Sequence, residues 1–238
     1  MINKNKGIVK GAIFIFIITI IIFSISLLPI ILAAYYLPLI IAFNKLWHFL
    51  LIPLLVYLGL LITVYLLILT SGAIIRIFRV RYEPGVYDYN YKDKMSIKWN
   101  ILYFIHRPIR KLFEMFAFGE TKNVYYRLLG MKVGKNTIIN GTIVDPCLTE
   151  VGDNCIVGSS SFIYCHIHDL KKGTITINRV KIGNNCVIGD GAIIMPGVIL
   201  EDDIIIGAGA VVPKNKILKK GKTYVGVPAK EIKTKKDK

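Results

Sequence analysis

Acidic residues are scarce in this sequence, and two long stretches contain no charged residue of either sign. Asp and Glu number 15 against 31 Lys and Arg, a formal net charge of +16. No charge occurs from Gly11 to Phe43 or from Leu46 to Ile75. Because roughly 20 apolar residues cross a bilayer as a helix, each stretch is long enough to span one. A cleaved signal peptide is the alternative for the first stretch, and the length of that stretch and the second stretch that follows disfavour it.

Cysteine is also scarce, and its spacing matches no zinc or redox motif. The four cysteines are Cys147, Cys155, Cys165 and Cys186. We expect them to be core residues in a reducing compartment, since free thiols behave as small apolar groups. Cys165 directly precedes His166, so a nucleophilic thiol is the alternative for that residue.

Basic residues flank the two apolar stretches unequally. Lysines precede the first stretch and arginines follow the second, and one lysine lies between them: Lys4, Lys6, Lys10, Arg76, Arg79, Arg81 and Lys45. The positive-inside rule therefore predicts a two-helix transmembrane hairpin over residues 1–78, with both termini and the remaining chain in the cytoplasm. Anionic lipid and a polyanionic cofactor explain the net charge, and no nucleic-acid-binding motif accompanies it.

A six-residue period dominates the last third of the chain. The repeating aliphatic positions are Ile182, Ile188, Ile194, Leu200, Ile206 and Val212. Small or apolar residues recur four positions after them, at Cys186, Ala192, Val198, Ile204 and Ala210. Period six fits no α-helix and predicts short parallel strands that coil into a three-sided column with the aliphatic side chains inside. Glycine follows several of these positions, and we expect it to allow tight or positive-φ turns.

The period extends upstream and defines turns of about 18 residues near 133–150, 151–168, 182–199 and 200–217. We therefore predict a β-solenoid over residues 131–238, ending in a basic tail. Residues 79–130 connect it to the hairpin. Within them, Ile97 to Phe118 is amphipathic, with apolar residues at Trp99, Leu102, Ile105, Ile109, Leu112 and Phe116. Two placements stay open for this segment: against the bilayer surface, or against the base of the column.

The period breaks once, between Ile163 and Ile182, and the break contains His166, His168 and Asp169. Imidazole accepts a proton at neutral pH, and Asp169 is positioned in sequence to orient a histidine ring. A base and its orienting acid suffice for direct acyl transfer from a thioester to an alcohol or amine. A His-x-His metal site is the competing interpretation, but the other histidines, His48 and His106, lie in different regions.

These features resemble a known family. The glycine-phased hexapeptides, the histidine at the break and the closing segment Val225–Lys230 resemble the hexapeptide-repeat acyltransferases, which fold as a left-handed β-helix; the resemblance covers about residues 130–232. Glu83-Pro84-Gly85, Trp99, Leu129-Gly130 and His166-x-x-Asp169 also resemble the membrane-associated, acyltransferase-like domain that ends some nonribosomal peptide synthetases, over about residues 80–232.

The resemblance implies a homotrimer with coenzyme A bound in a groove between neighbouring columns. The general base of the family aligns with His166 when the repeat is counted forward, and with His168 when it is counted back. The His-x-x-acid pattern favours His166. The backbone position that meets the pantetheine arm falls on Ala208, and the basic residue that meets the nucleotide phosphates falls on Lys230.

The sequence therefore predicts a membrane-anchored β-solenoid, two transmembrane helices followed by a left-handed parallel β-helix. Its predicted activity is acyl-CoA-dependent O- or N-acyl transfer, with acetyl-CoA as the expected co-substrate and no metal. The acceptor would be a small or lipid-linked sugar, glycan or amino-acid derivative near the membrane. Two alternatives stay open: a non-catalytic trimeric membrane scaffold, and a metal-dependent lyase resembling the carbonic anhydrases that use this β-helix.

Overall fold

The computed structural model describes residues 2–40, 45–90, 92–115 and 119–232. The chain forms two compact units, Met1–Ile77 and Phe78–Lys238.

The first unit consists of two long apolar helices, α1 (Ile2–Ile40) and α2 (Leu46–Ile77). Ser26 and Thr70 bring their hydroxyl oxygens to 3.2 Å across the helix pair. By length and composition both helices are able to cross a membrane, α1 through Phe16–Leu39 and α2 over its full length. Their outward faces are apolar and exposed, as a bilayer-facing surface requires. Residues 41–44, which adjoin Lys45 in the predicted connection between the two helices, lie outside the described residues.

The second unit opens with strand β1 (Gly85–Asp88), helix α3 (Lys94–Met115) and helix α4 (Glu120–Leu128). The apolar face of α3 is buried within this unit, through Trp99, Leu102, Ile105, Ile109 and Phe113. Phe116, predicted on the same face, lies outside the described residues. The helix continues through Pro108. Of the two placements left open by the sequence, α3 therefore takes the one against the column.

The column follows as a series of short strands separated by turns. They are β2 (Lys132–Val133), β3 (Ile138–Ile139), β4 (Thr142–Ile143), β5 (Thr149–Val151), β6 (Ile156–Val157), β7 (Phe162–Ile163), β8 (His166–Asp169), β9 (Thr174–Ile177), β10 (Val180–Ile182), β11 (Val187–Ile188), β12 (Ile193–Ile194), β13 (Ile199–Leu200), β14 (Ile205–Ile206), β15 (Val211–Val212), β16 (Ile217–Leu218), β17 (Thr223–Val225) and β18 (Lys230–Ile232). A 3₁₀ turn, Pro146–Leu148, precedes β5.

Three parallel sheets form the sides of the column. We name them sheet I (β2-β5-β10-β13-β16), sheet II (β3-β6-β11-β14-β17, with β18 antiparallel at its end) and sheet III (β4-β7-β12-β15). The repeating aliphatic side chains at 182, 188, 194, 200, 206 and 212 are all buried, as are the small residues between them. The predicted inward-facing core is confirmed.

Glycine has a different role from the one predicted. Gly152 and Gly183 follow repeat positions, but neither has a positive φ. A Cβ on Gly152 would lie 2.7 Å from the backbone of Gly183, so the coils stack too closely for a side chain there. The positive-φ position comes two residues later, at Asn154 (φ 54°) and Asn185 (φ 55°). Their amides form a ladder up the column, with Nδ2 of Asn154 donating to Oδ1 of Asn185 at 3.2 Å.

The break in the period is an antiparallel hairpin. Val151 and Ile182 are register partners 31 residues apart, whereas Ile182 and Leu200 are partners 18 residues apart. The additional residues form β8 and β9, and β9 pairs with β1 from the connecting region. His166 and His168 lie on β8, and the pairing of β8 with β9 and of β9 with β1 fixes the position of that strand.

Candidate active site

The two histidines of the break lie on β8, where the chain leaves the column at the corner between sheets III and I. His166 and His168 are two residues apart on one strand, so both side chains lie on the same side of it. Their ring centroids are 5.4 Å apart. The indole of Trp99 from α3 contacts both rings, with centroid distances of 4.7 Å and 5.1 Å.

His166 forms a hydrogen bond with a buried carboxylate. Its Nδ1 lies 2.7 Å from Oδ2 of Asp145. Because an ionised carboxylate only accepts hydrogen bonds, Nδ1 carries the proton and Nε2 is the basic nitrogen. Within the described part of the chain Nε2 has no hydrogen-bond partner, and 11% of the side-chain surface stays exposed. The ring is thus held at one nitrogen and available at the other.

Asp145 is held by a set of donors. Besides His166, its oxygens accept hydrogen bonds from the Tyr82 hydroxyl (2.6 Å), the Trp99 indole N–H (3.2 Å) and the Cys165 amide (2.8 Å). Burial alone would raise the pKa of this carboxyl, but the charge of His166 and these hydrogen bonds outweigh burial and lower it. Asp145 therefore stays ionised at neutral pH, as a group that stabilises an imidazolium must.

Asp169, the predicted orienting acid, has another role. Its Oδ1 accepts hydrogen bonds from the backbone amides of Lys171 and Lys172, which closes the turn of the β8–β9 hairpin. Asp145 contacts His166 in place of Asp169, because Asp145 is distant in sequence but lies in the coil beneath. Ile143 and Ile163 are register partners, which brings the corner after β4 under the corner after β7.

His168 packs among aromatic rings. Its centroid lies 4.5 Å from that of Tyr89, and its Nδ1 is buried with no hydrogen-bond partner in the described residues. Burial lowers the pKa of this imidazole, and the neighbouring His166 lowers it further. A neutral ring without a carboxylate partner suits positioning better than proton transfer.

Neither cysteine at this corner is a reactive thiol. Cys165 is fully buried, and burial raises the pKa of its thiol. Burial likewise raises the pKa of Cys147 to about 11. Reactive cysteines need a lowered pKa and access to substrate, so the thiol alternative is disfavoured.

The described residues contain no group of three His, Cys, Asp or Glu side chains that could hold a metal ion. His106 is bound elsewhere: its Nε2 lies 2.9 Å from the carbonyl oxygen of Ile143, which anchors α3 to β4. Burial lowers the pKa of His106 to about 4, so this ring is neutral.

Ala208 and Lys230, the positions that the resemblance assigns to coenzyme A, lie away from the histidines. Ala208 is exposed at the corner between sheets II and III, and its N–H donates to no group in the described ranges. Lys230 is exposed at the start of β18, opposite Val225. One column therefore presents the base and Ala208 at different corners.

Comparisons with known proteins agree with this fold. Residues 179–214 match the family described as bacterial transferase hexapeptide (six repeats). Delta-poly-L-ornithine synthetase of Acinetobacter baumannii is 29% identical over 162 residues, 67% of this chain but 12% of that protein. Galactoside O-acetyltransferase of Escherichia coli is 31% identical over 167 residues, 65% of this chain and 77% of that enzyme.

Among solved structures, a galactoside acetyltransferase in complex with coenzyme A is similar at 21% identity. The match covers 66% of this chain and 90% of that chain, with a TM-score of 0.49. The predicted family resemblance is confirmed by the matched repeats and by the coverage of the E. coli enzyme. The second unit is a left-handed β-helix, and the chain belongs to the hexapeptide-repeat acyltransferases.

Proposed function

We propose that this protein transfers an acyl group, expected to be acetyl, from acyl-coenzyme A to a hydroxyl or amine of a sugar-type acceptor. The contact between His166 Nδ1 and Asp145 carries this proposal. It leaves a basic Nε2 on a ring of fixed orientation, as a general base requires. The E. coli relative, a galactoside O-acetyltransferase, supports a sugar as acceptor.

The reaction follows from the groups at the corner. Nε2 of His166 removes the acceptor proton as the acceptor oxygen or nitrogen attacks the thioester carbonyl. Asp145 stabilises the imidazolium that forms, because its carboxylate stays ionised and hydrogen-bonded to Nδ1. When the tetrahedral intermediate collapses, the imidazolium returns the proton to the leaving thiolate. His168 and Trp99 fix the plane of the His166 ring through the contacts described above.

Coenzyme A would contact Ala208 and Lys230. The unpartnered Ala208 N–H is a suitable donor to a carbonyl of the pantetheine arm. Lys230 would bind nucleotide phosphates as a positive charge. Since these residues and His166 lie at different corners, a second copy of the chain would complete each site. This favours a homotrimer with shared grooves.

An apolar ladder on sheet II supports assembly. Its side chains are register partners on successive coils and are each 37% to 49% exposed: Ile138, Ile156, Val187 and Ile205. A contiguous exposed apolar row of this kind indicates a surface that another copy covers.

The trimer prediction can be tested at the centre of this ladder. Ile156→Glu should give monomers, because it places charges in the contact, whereas Lys181→Glu on exposed sheet I should leave the trimer intact. Mass photometry or native mass spectrometry in detergent, with a 26.8 kDa chain, separates these states. A fully active wild-type monomer would contradict the shared groove.

We further propose that α1 and α2 anchor the enzyme in a membrane with the β-helix in the cytoplasm, where acyl-coenzyme A is available. A reporter fused after Lys238 should be active in its cytoplasmic form. A reporter inserted at Asn44, in the predicted outer tip, should be active in its external form. Exchange of the two signals would contradict the orientation and, with it, access to the co-substrate.

The proposed activity is tested directly with detergent-purified protein, acetyl-coenzyme A and a panel of sugars and membrane glycans. Mass spectrometry should detect an acceptor heavier by one acetyl group and an equal amount of free coenzyme A. Hydrolysis without acylated product, or no consumption of acetyl-coenzyme A with any acceptor, would count against transferase activity and favour the scaffold alternative.

The role of Asp145 gives a separate prediction. Asp145→Asn keeps the shape of the side chain but removes the charge that stabilises the imidazolium, so kcat should fall about 10²- to 10⁴-fold with little change in the acceptor KM. Asp169→Asn is the matched control and should retain activity, because Asp169 serves the hairpin turn. Equal losses in the two variants would assign Asp145 a merely structural role.

A further inference from the structure

A row of aromatic rings runs from His166 on two sides. On the strand side, Phe162 lies on β7 and Tyr164 lies in the corner between β7 and β8. The Tyr164 ring lies 6.3 Å from His166 and 5.8 Å from Phe162, on which it stacks. On helix α3, Trp99 contacts His166 and stacks on Tyr103 at 5.0 Å. Aromatic rings therefore lie on two sides of the base, and such rings suit the apolar face of a sugar.

Two arginines continue the α3 side of this row. The guanidinium of Arg107 lies 5.7 Å from the centroid of Tyr103. Arg110 lies one helical turn after His106, and the charge of Arg110 reaches Tyr164: burial raises the pKa of that phenol, and Arg110 acts in the opposite sense. Trp99, Tyr103 and Arg110 follow one another at spacings of four and seven residues on α3 and therefore lie on one face of the helix, so the aromatic row on that face ends beside a positive charge.

Arg110 is unusual because part of its charged group is buried without a partner. Its Nε and Nη1 are buried and have no hydrogen-bond partner in the described residues. Burying charged donors without partners is unfavourable, and guanidinium N–H groups bind the oxygens of a phosphate or carboxylate. The site is therefore suited to an anionic ligand that supplies the missing acceptors.

We propose that Arg110, assisted by Arg107, binds an anionic group of the acceptor. The acceptor ring would lie on Tyr103 and Tyr164, with its reacting hydroxyl or amine at His166. The acceptor would then be a phosphorylated sugar or a sugar acid rather than a neutral one. This inference rests on the proposed function and narrows it. The arginine site is distinct from the site proposed for the nucleotide phosphates of coenzyme A, since Lys230 lies at the far end of the column.

The kinetic test uses matched acceptors: galactose, galactose 6-phosphate and galacturonic acid. The wild-type protein should favour one of the anionic sugars by roughly 10- to 100-fold in kcat/KM, the effect expected of hydrogen bonds to a charged group. Arg110→Gln should abolish this preference by raising the KM for the anionic sugar, and Arg110→Lys should restore part of it. Arg179→Gln, which alters an arginine paired with Glu150, is the control and should keep the preference.

A binding measurement separates this inference from the proposed function. Isothermal titration of the full-length protein with the same three sugars reports affinity without turnover. Tighter binding of an anionic sugar that Arg110→Gln removes would support the inference even if no acyl transfer occurred. Equal affinities for neutral and anionic sugars, or an anion preference that survives Arg110→Gln, would overturn it. Loss of binding to anionic lipid vesicles in Arg110→Gln with unchanged sugar binding would overturn it too, and would assign the arginine to a headgroup.

Discussion

Replacement of His166 by alanine should reduce acyl transfer about 10²- to 10⁴-fold, the usual contribution of a general base. The variant loses the Nε2 that accepts the acceptor proton, while Trp99, Asp145 and the column remain in place. Initial rates of coenzyme A release, measured with a thiol reagent and checked by mass spectrometry of the acceptor, give the loss. Trimer mass and binding of coenzyme A should be unchanged.

His168→Ala is the matched comparison and should have the smaller effect. Its ring has no carboxylate partner and contacts Tyr89 and Trp99, so its removal loosens His166 without removing the base. If His168→Ala abolished transfer and His166→Ala did not, the two histidines would have to exchange roles. If neither variant mattered, the scaffold alternative would explain the protein better than catalysis.

Ile194→Asp should unfold the β-helix. Ile194 is fully buried on β12, where its register partners are Ile163 below and Val212 above. The substitution loses roughly 1.5–3 kcal/mol of apolar burial and also encloses a carboxylate among aliphatic side chains, which has no compensating partner. Far-UV circular dichroism and limited proteolysis of the purified protein should detect the loss of the column.

Ile193→Asp is the control for this prediction. Ile193 precedes Ile194 on the same strand, faces outward and is partly exposed. Its substitution should therefore leave the fold intact. If both variants were equally protected from proteolysis, the inward direction of the repeat positions would be contradicted.

The sequence predicted the column well because the aliphatic or small residue at each repeat position directly indicates that the position is buried. One coil contains 18 residues, so position 200 lies over position 182. Position 182 lies over position 151 in the same way, because the 13 additional residues between them form the hairpin outside the column. The period therefore sets the register. The same period located the hairpin, since the register fails only where β8 and β9 leave the column. Amphipathicity defined the buried face of α3 but not the surface on which it packs.

The site was predicted only in part, because stacking of coils pairs residues that are distant in sequence. His166 was found from the break, but its partner Asp145 lies 21 residues earlier, in the coil beneath. The sequence did contain a signal for this partner, an acidic residue at the corner one coil before the break, but Asp169 is closer to His166 in sequence and was chosen instead. Tyr82 and Trp99 reach Asp145 from the connecting region, and no local pattern indicates such contacts. The glycines that follow repeat positions were assigned to tight or positive-φ turns, whereas at Gly152 and Gly183 close stacking of the coils is what excludes a side chain.

The most direct measurement is a structure of the detergent-solubilised protein with coenzyme A and an acceptor sugar bound. The account predicts that the reacting oxygen or nitrogen of the acceptor lies about 2.6–3.2 Å from Nε2 of His166, with the Nδ1 contact to Asp145 retained and the thiol of coenzyme A beside them. An acceptor held at His168 instead, or a coenzyme A thiol that does not approach this corner, would contradict the assignment of His166 and Asp145 as the catalytic pair.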